Sequence, residues 1–310
     1  MPPFQAAIIL AALFADPLAP GDHRRKLTVD GRERTYLVHV PPQYKAGEPT
    51  PVVLVLHGAT INAPIMAALS AMSRKSDEAG FIVVYPNGTG DDPSLYWNAG
   101  QLTARIVREN PDDVKFISQL LDDLGTVVTV DPRRVYAAGM SNGGAMCYRL
   151  ASELSDRIAA IAPVAGTMAI AHAHPKRPVP VIAFHGTADT YVKYNGGNTG
   201  ALQPHKSVDE TVEIWRKLDG CPTTAKVTDL PDRDAEDGCT VRRKEYPPGN
   251  ANAEVVLYTI QNGGHTWPGQ KSPLPMLGKS TLDISANDLI WEFFQKHPKP
   301  VEQGHGNGGL

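Results

Sequence analysis

A series of short, wholly apolar runs most constrains how this chain can fold. Pro51–Leu56, Phe81–Tyr85, Val135–Ala138, Ile158–Val164 and Val179–Phe184 show no alternation of apolar and polar residues. Each reads as a strand buried on both faces, the pattern of a parallel sheet covered by helices. The intervening segments supply those helices. Ile65, Met66, Leu69 and Met72 recur at helical spacing within 64–79, and Val114, Ile117, Leu120, Leu121 and Leu124 within 112–124. Val212, Ile214, Trp215 and Leu218 mark another helix over 208–218, and 284–294 a closing one. Lys26–Val29 and Thr35–Val40 flank Asp30-Gly31, a hairpin turn signal, and Cys239–Tyr246 and Glu254–Ile260 add two later strands. The expected fold is α/β: a mostly parallel, doubly wound sheet opened by an N-terminal antiparallel hairpin.

With 310 residues, 42% hydrophobic and 20% charged, the chain can bury one large core. No repeat or linker divides it, so residues 20–298 read as one catalytic domain and 299–310 as a flexible, glycine-rich tail. A formal charge of -3 leaves no electrostatic footprint for nucleic acid or an anionic membrane surface. The Arg242-Arg243-Lys244 run reads as a solvated strand face. Ala6–Ala15 has the length of a signal-peptide core, with small residues at Ala15 and Ala19, so residues 1–19 are expected to be a cleaved leader. Secretion to the extracellular space or periplasm follows, with no stable membrane association after cleavage, and a monomer is expected. In that oxidising setting Cys221 and Cys239 are expected to pair, closing a loop at a gain of about 3 kcal/mol. Cys147 reads as a small buried apolar residue.

The chemistry centres on Gly139-Met140-Ser141-Asn142-Gly143, a G-x-S-x-G segment placed between an apolar run and a helical pattern that includes Met146, Cys147, Leu150 and Leu154. In such an elbow the serine sits on a tight strand-to-helix turn, and the glycines leave space where side chains would strike the backbone. The hydroxyl then lies at a helix N-terminus, where unpaired N–H groups favour a developing oxyanion.

A serine hydroxyl needs a neighbouring base, held in the right tautomer by a carboxylate. In an α/β-hydrolase fold the order along the chain is Ser, acid, His, with the last two on loops after later strands. His265 lies directly after the strand ending at Ile260, preceded by two glycines. Asp189 follows the 179–184 strand through His185-Gly186-Thr187-Ala188, whereas Asp209 and Glu210 fall in a helix and the acids of 232–237 in a polar loop. His185 reads as a packing residue behind Asp189. The oxyanion donors are expected to be the N–H groups of Asn142 and Ala59, the latter in the loop after the 51–56 strand, with Thr60 as its alternative. His172 and His174 have no metal-ligand pattern around them and read as solvated loop residues, so neither a metal nor a cofactor is expected.

With these pieces in place, the chain resembles the α/β-hydrolase esterases grouped as polyhydroxybutyrate depolymerases and feruloyl or acetylxylan esterases. The matching segments are His57-Gly58, Tyr96-Trp97-Asn98-Ala99-Gly100, Gly139–Gly144, His185–Asp189, Tyr194-Asn195-Gly196-Gly197 and Gly264-His265-Thr266-Trp267-Pro268-Gly269, in the same order along the chain. The resemblance implies Ser141 as nucleophile, Asp189 as acid and His265 as base, with Trp97 and Trp267 near the substrate. It also implies an ester substrate, small or polymeric: a hydroxyalkanoate polyester or oligomer, or alternatively a feruloyl or acetyl ester of plant cell-wall polysaccharide such as xylan, or an aromatic polyester.

Overall fold

In the computed structural model, which describes residues 16–100, 108–197, 205–272 and 274–301, the apolar runs become the middle of a ten-stranded sheet. The hairpin β1 (Gly21–Val29) and β2 (Arg32–Val40) turns through Asp30 and Gly31, both at positive φ (50° and 76°), as a tight two-residue hairpin requires. β2 pairs antiparallel with β4 (Ile82–Pro86). From there β3 (Thr50–Leu56), β7 (Val130–Met140), β8 (Ile161–Val164), β9 (Val181–Gly186) and β12 (Val255–Gln261) continue side by side, each parallel to its neighbour. An antiparallel pair, β11 (Thr240–Tyr246) and β10 (Lys226–Asp229), closes the far edge. β5 (Thr89–Asp91) and β6 (Ser94–Tyr96) form a separate small ribbon within the stretch read from sequence as loop.

Every residue of β3, β4, β8 and β9 is buried, because helices cover both faces of the sheet. Val52, Leu54 and Leu56 face one core with the helices Asp113–Gly125, Asn142–Glu153 and Val208–Leu218. Val53 and Val55 face a second core with Ala63–Ser70, Met72–Ala79 and Ala286–Lys296. This is the expected α/β-hydrolase layering. No helix among the described residues is long and apolar enough to cross a membrane.

Two expectations are corrected. The helix read over 64–79 is two helices, broken where Ala71 takes φ 51°, a left-handed conformation that stops the first and starts the second. The Cys221–Cys239 bridge is not formed; both thiols are free and buried. Cys221 belongs to the first core and Cys239 to the second, so the sheet lies between them. The Cys221 thiol instead points at the Ala253 carbonyl, 3.4 Å away. Residues 1–15 of the expected leader and 302–310 of the expected tail lie outside the described residues.

Candidate active site

β7 ends at Met140 and the next helix begins at Asn142, leaving Ser141 alone at the turn with φ 59° and ψ −120°. A non-glycine residue in this region costs about 1–3 kcal/mol and persists only where its surroundings impose it. They do so here. The Ser141 N–H donates to Val164 O of β8 (2.8 Å), and Ser141 O accepts from Ala145 in the first helical turn (2.9 Å). Glycine is required on both sides: a Cβ at Gly139 would lie 2.6 Å from Gly143 O, and one at Gly143 only 2.3 Å from Leu56 O. The helix therefore starts hard against the end of β3.

Asp189 and His265 follow β9 and β12, which lie on the same side of β7 with β8 between, so all three residues emerge at the C-terminal edge of one parallel run of strands. Their two loops are tied together, with Ala188 N–H donating to Gly263 O at 2.9 Å. His265 Nδ1 lies 2.7 Å from Asp189 Oδ2, while Asp189 Oδ1 accepts the N–H groups of Tyr191 (2.8 Å) and Val192 (2.9 Å). Burial raises the Asp189 carboxyl, but the His265 hydrogen bond, the neighbouring imidazoles and the Val192 N–H outweigh it and hold the group below its ordinary value. Asp189 is thus an ionised, acceptor-only group, so the shared proton sits on His265 Nδ1 and leaves Nε2 as a base. His265 N–H is fixed on Leu277 O at 2.6 Å.

His185 is a packing residue, as read from sequence. It is buried, with Nε2 2.7 Å from Val192 O and 3.6 Å from Asp189 Oδ2, and burial lowers its pKa. Tyr191 was not singled out by sequence reasoning. Its half-exposed ring lies 5.1 Å from the His265 ring, and only its position two residues after Asp189 hints at this.

Asn142 directly follows Ser141, and Ala59 follows Gly58, where an added Cβ would lie 3.4 Å from the Ser141 Cβ; among the described residues no hydrogen bond occupies either N–H. Thr60 is excluded as a donor because its N–H is already given to Leu95 O at 2.9 Å. The Asn142 side chain clamps the backbone of Trp97 on both sides: Oδ1 accepts Trp97 N–H (2.7 Å) and Nδ2 donates to Trp97 O (3.2 Å). Trp97 is consequently 1% exposed, its Nε1–H donating to His57 O at 3.0 Å. Trp267 is 2% exposed, its Nε1–H donating to Asn287 Oδ1 at 2.8 Å. Both indoles are buried with their polar atoms satisfied within the protein. The cavity that Trp267 lines with Met140, Thr266 and Leu277 is about 10 Å³, room for roughly one water.

Comparison with known proteins gives this arrangement a family. The dienelactone hydrolase family profile matches residues 36–209. NocK of Nocardia uniformis subsp. tsuyamanensis is 31% identical over 317 residues, covering 94% of this chain and 90% of its own. Feruloyl esterase B of Piromyces equi is 29% identical over 75% of this chain, and poly(3-hydroxyalkanoate) depolymerase C of Paucimonas lemoignei 29% identical over 74%. The chain spans 42% and 58% of those two relatives' lengths. Among solved structures, the acetyl xylan esterase from Aspergillus awamori shares the fold at TM-score 0.59 and 15% identity, over 88% of this chain and 99% of its own. The chain belongs to the dienelactone hydrolase family and is a carboxylic ester hydrolase on the α/β-hydrolase fold.

Proposed function

We propose that Ser141, His265 and Asp189 form a catalytic triad that hydrolyses esters through an acyl-enzyme. The observation that carries this reading is the 2.7 Å hydrogen bond from His265 Nδ1 to the buried Asp189 carboxylate, at the sheet edge that also bears the strained Ser141. His265 Nε2 removes the Ser141 Oγ proton as Oγ attacks the ester carbonyl, and Asp189 stabilises the resulting imidazolium. The carbonyl oxygen becomes an oxyanion held by the Ala59 and Asn142 N–H groups. Collapse expels the alcohol, which takes the proton from His265. Water, deprotonated by the same nitrogen, then attacks the acyl carbon, returning the acid and Ser141. Ser141→Ala is expected to abolish turnover of p-nitrophenyl esters and labelling by a fluorophosphonate probe, with near-native melting. Retained hydrolysis would reject the mechanism.

For substrate, we propose hydroxyalkanoate polyesters or their oligomers. Support comes from the Paucimonas relative and from exposed apolar side chains: Tyr191, whose ring lies 5.1 Å from that of His265, and Leu274 and Met276, on the segment whose Leu277 O holds the His265 N–H, are 41%, 51% and 68% exposed. An aliphatic chain could lie against such side chains without burying unpaired polar groups. The Piromyces relative favours feruloyl esters as a second reading. Rates on polyhydroxybutyrate oligomers, methyl ferulate and acetylated xylan separate the two. We also propose that the protein is secreted; N-terminal sequencing of exported material should begin after Ala15 or Ala19, not at Met1.

A further inference from the structure

We propose that His57 is a positioning residue of the oxyanion site, a neutral imidazole whose Nδ1–H fixes the Gly58–Ala59 peptide and with it the Ala59 donor. The proposal rests on the reading of Ala59 N–H as an oxyanion donor given above.

His57 is fully buried and makes two polar contacts with its ring, Nε2 at 2.9 Å from Gly88 N and Nδ1 at 2.7 Å from Gly58 O. A backbone N–H can only donate, so Nε2 accepts and carries no hydrogen. The proton therefore sits on Nδ1 and is donated to Gly58 O. A doubly protonated ring would set one N–H against another at Gly88, and burial accordingly pushes the His57 pKa down to about 4.

The Gly58 carbonyl and the Ala59 N–H are opposite ends of one rigid, planar peptide unit, so holding the first aims the second. Gly58 has no side chain to restrict that unit, which makes an external hold necessary. The hold continues to the other donor. His57 O accepts the Trp97 Nε1–H, the two rings pack at 4.9 Å, and the Asn142 side chain grips the Trp97 backbone. Both oxyanion N–H groups thus belong to segments joined through Trp97, and their separation is set before any substrate arrives. A preorganised pair of this kind acts on the transition state more than on the bound ester.

The test compares His57→Asn with His57→Gln. The Asn amide nitrogen can occupy the Nδ1 position and keep the bond to Gly58 O; the Gln amide reaches only the Gly88 side. We expect His57→Asn to keep kcat within about tenfold and His57→Gln to lose about 10²–10³ in kcat, with KM little changed and affinity for an alkyl boronic acid falling in step with kcat. Equal kcat in the two folded variants, or a change confined to KM with boronate affinity unaltered, would overturn the proposal. If either variant fails to fold, Trp97→Phe decides: a kcat loss of about tenfold at constant KM supports the coupling, and unchanged kcat overturns it. Ser141→Ala run alongside keeps the two ideas apart, since its retained activity would sink the triad, whereas its loss with equal Asn and Gln variants sinks only the role of His57.

Discussion

A single methyl group at Gly143 would be enough to disturb the site. Its carbon would stand 2.3 Å from Leu56 O and 2.6 Å from His57 O, both backbone atoms with little freedom to retreat. Gly143→Ala must therefore push the helix start away from the end of β3, separating Asn142 from Ala59. We expect a stability loss of about 1–3 kcal/mol by urea unfolding. Because misplacement of about 1 Å can cost 10²-fold, kcat should fall well beyond the change in KM. A Gly143→Ala protein with native kcat would show that the two donors are not held by this contact. The strain at Ser141 belongs to the same scale, since it exists only because Val164 O and Ala145 N–H fix the turn from both sides.

At the scale of elements, the end of the Val208–Leu218 helix is fastened to the start of β9 by one carboxyl group. Asp219 Oδ1 accepts the Val179 N–H at 2.8 Å, while Oδ2 is buried and has no hydrogen-bond partner among the described residues. Burial pushes this carboxyl up to about 7, against the Val179 hydrogen bond and Arg177, which lower it. Its folded pKa thus exceeds the unfolded value of about 4. Folding takes up a proton between these values, so this contribution to stability is complete below about pH 4 and is lost as pH rises through about 7. The melting temperature of the native protein should fall more between pH 5 and pH 8 than that of Asp219→Asn, which has no such proton to lose. Parallel pH profiles for the two proteins would refute the assignment.

Across the whole molecule, the site depends on a buried ion pair that joins the sheet, a helix and the loop carrying Trp97. Arg34 on β2 and Asp113 at the start of the Asp113–Gly125 helix lie 2.7 Å apart, 4% and 0% exposed in their side chains. Asp113 Oδ2 also accepts Asn98 N–H at 2.7 Å, directly after Trp97. Burial works against both charges, raising the Asp113 pKa and lowering that of Arg34 despite their attraction. Such a pair adds little net stability, yet removing one member strands the other. Asp113→Asn should cost about 3–5 kcal/mol in urea unfolding, far more than any exposed pair. A loss below about 1 kcal/mol would mean that Arg34 reaches water in the variant.

The sequence by itself determined the parallel core and the chain order of Ser141, Asp189 and His265. Strands buried on both faces must be almost wholly apolar, and loops that follow parallel strands of this kind must emerge at one edge of the sheet. What only the tertiary structure decided is which face each remaining residue meets. Cys221 and Cys239 look like a pair along the chain, but lie on opposite sides of the sheet, a fact that depends on strand order and not on spacing. Trp97 and Trp267 look like ligand-facing aromatics of polar loops; Asn142 and Asn287 draw them into the core by hydrogen bonds spanning 45 and 20 residues. The role of His57 is of the same kind. Its neighbour Gly58 is local, but the Gly88 N–H that fixes its tautomer is 31 residues away and was brought there by the fold.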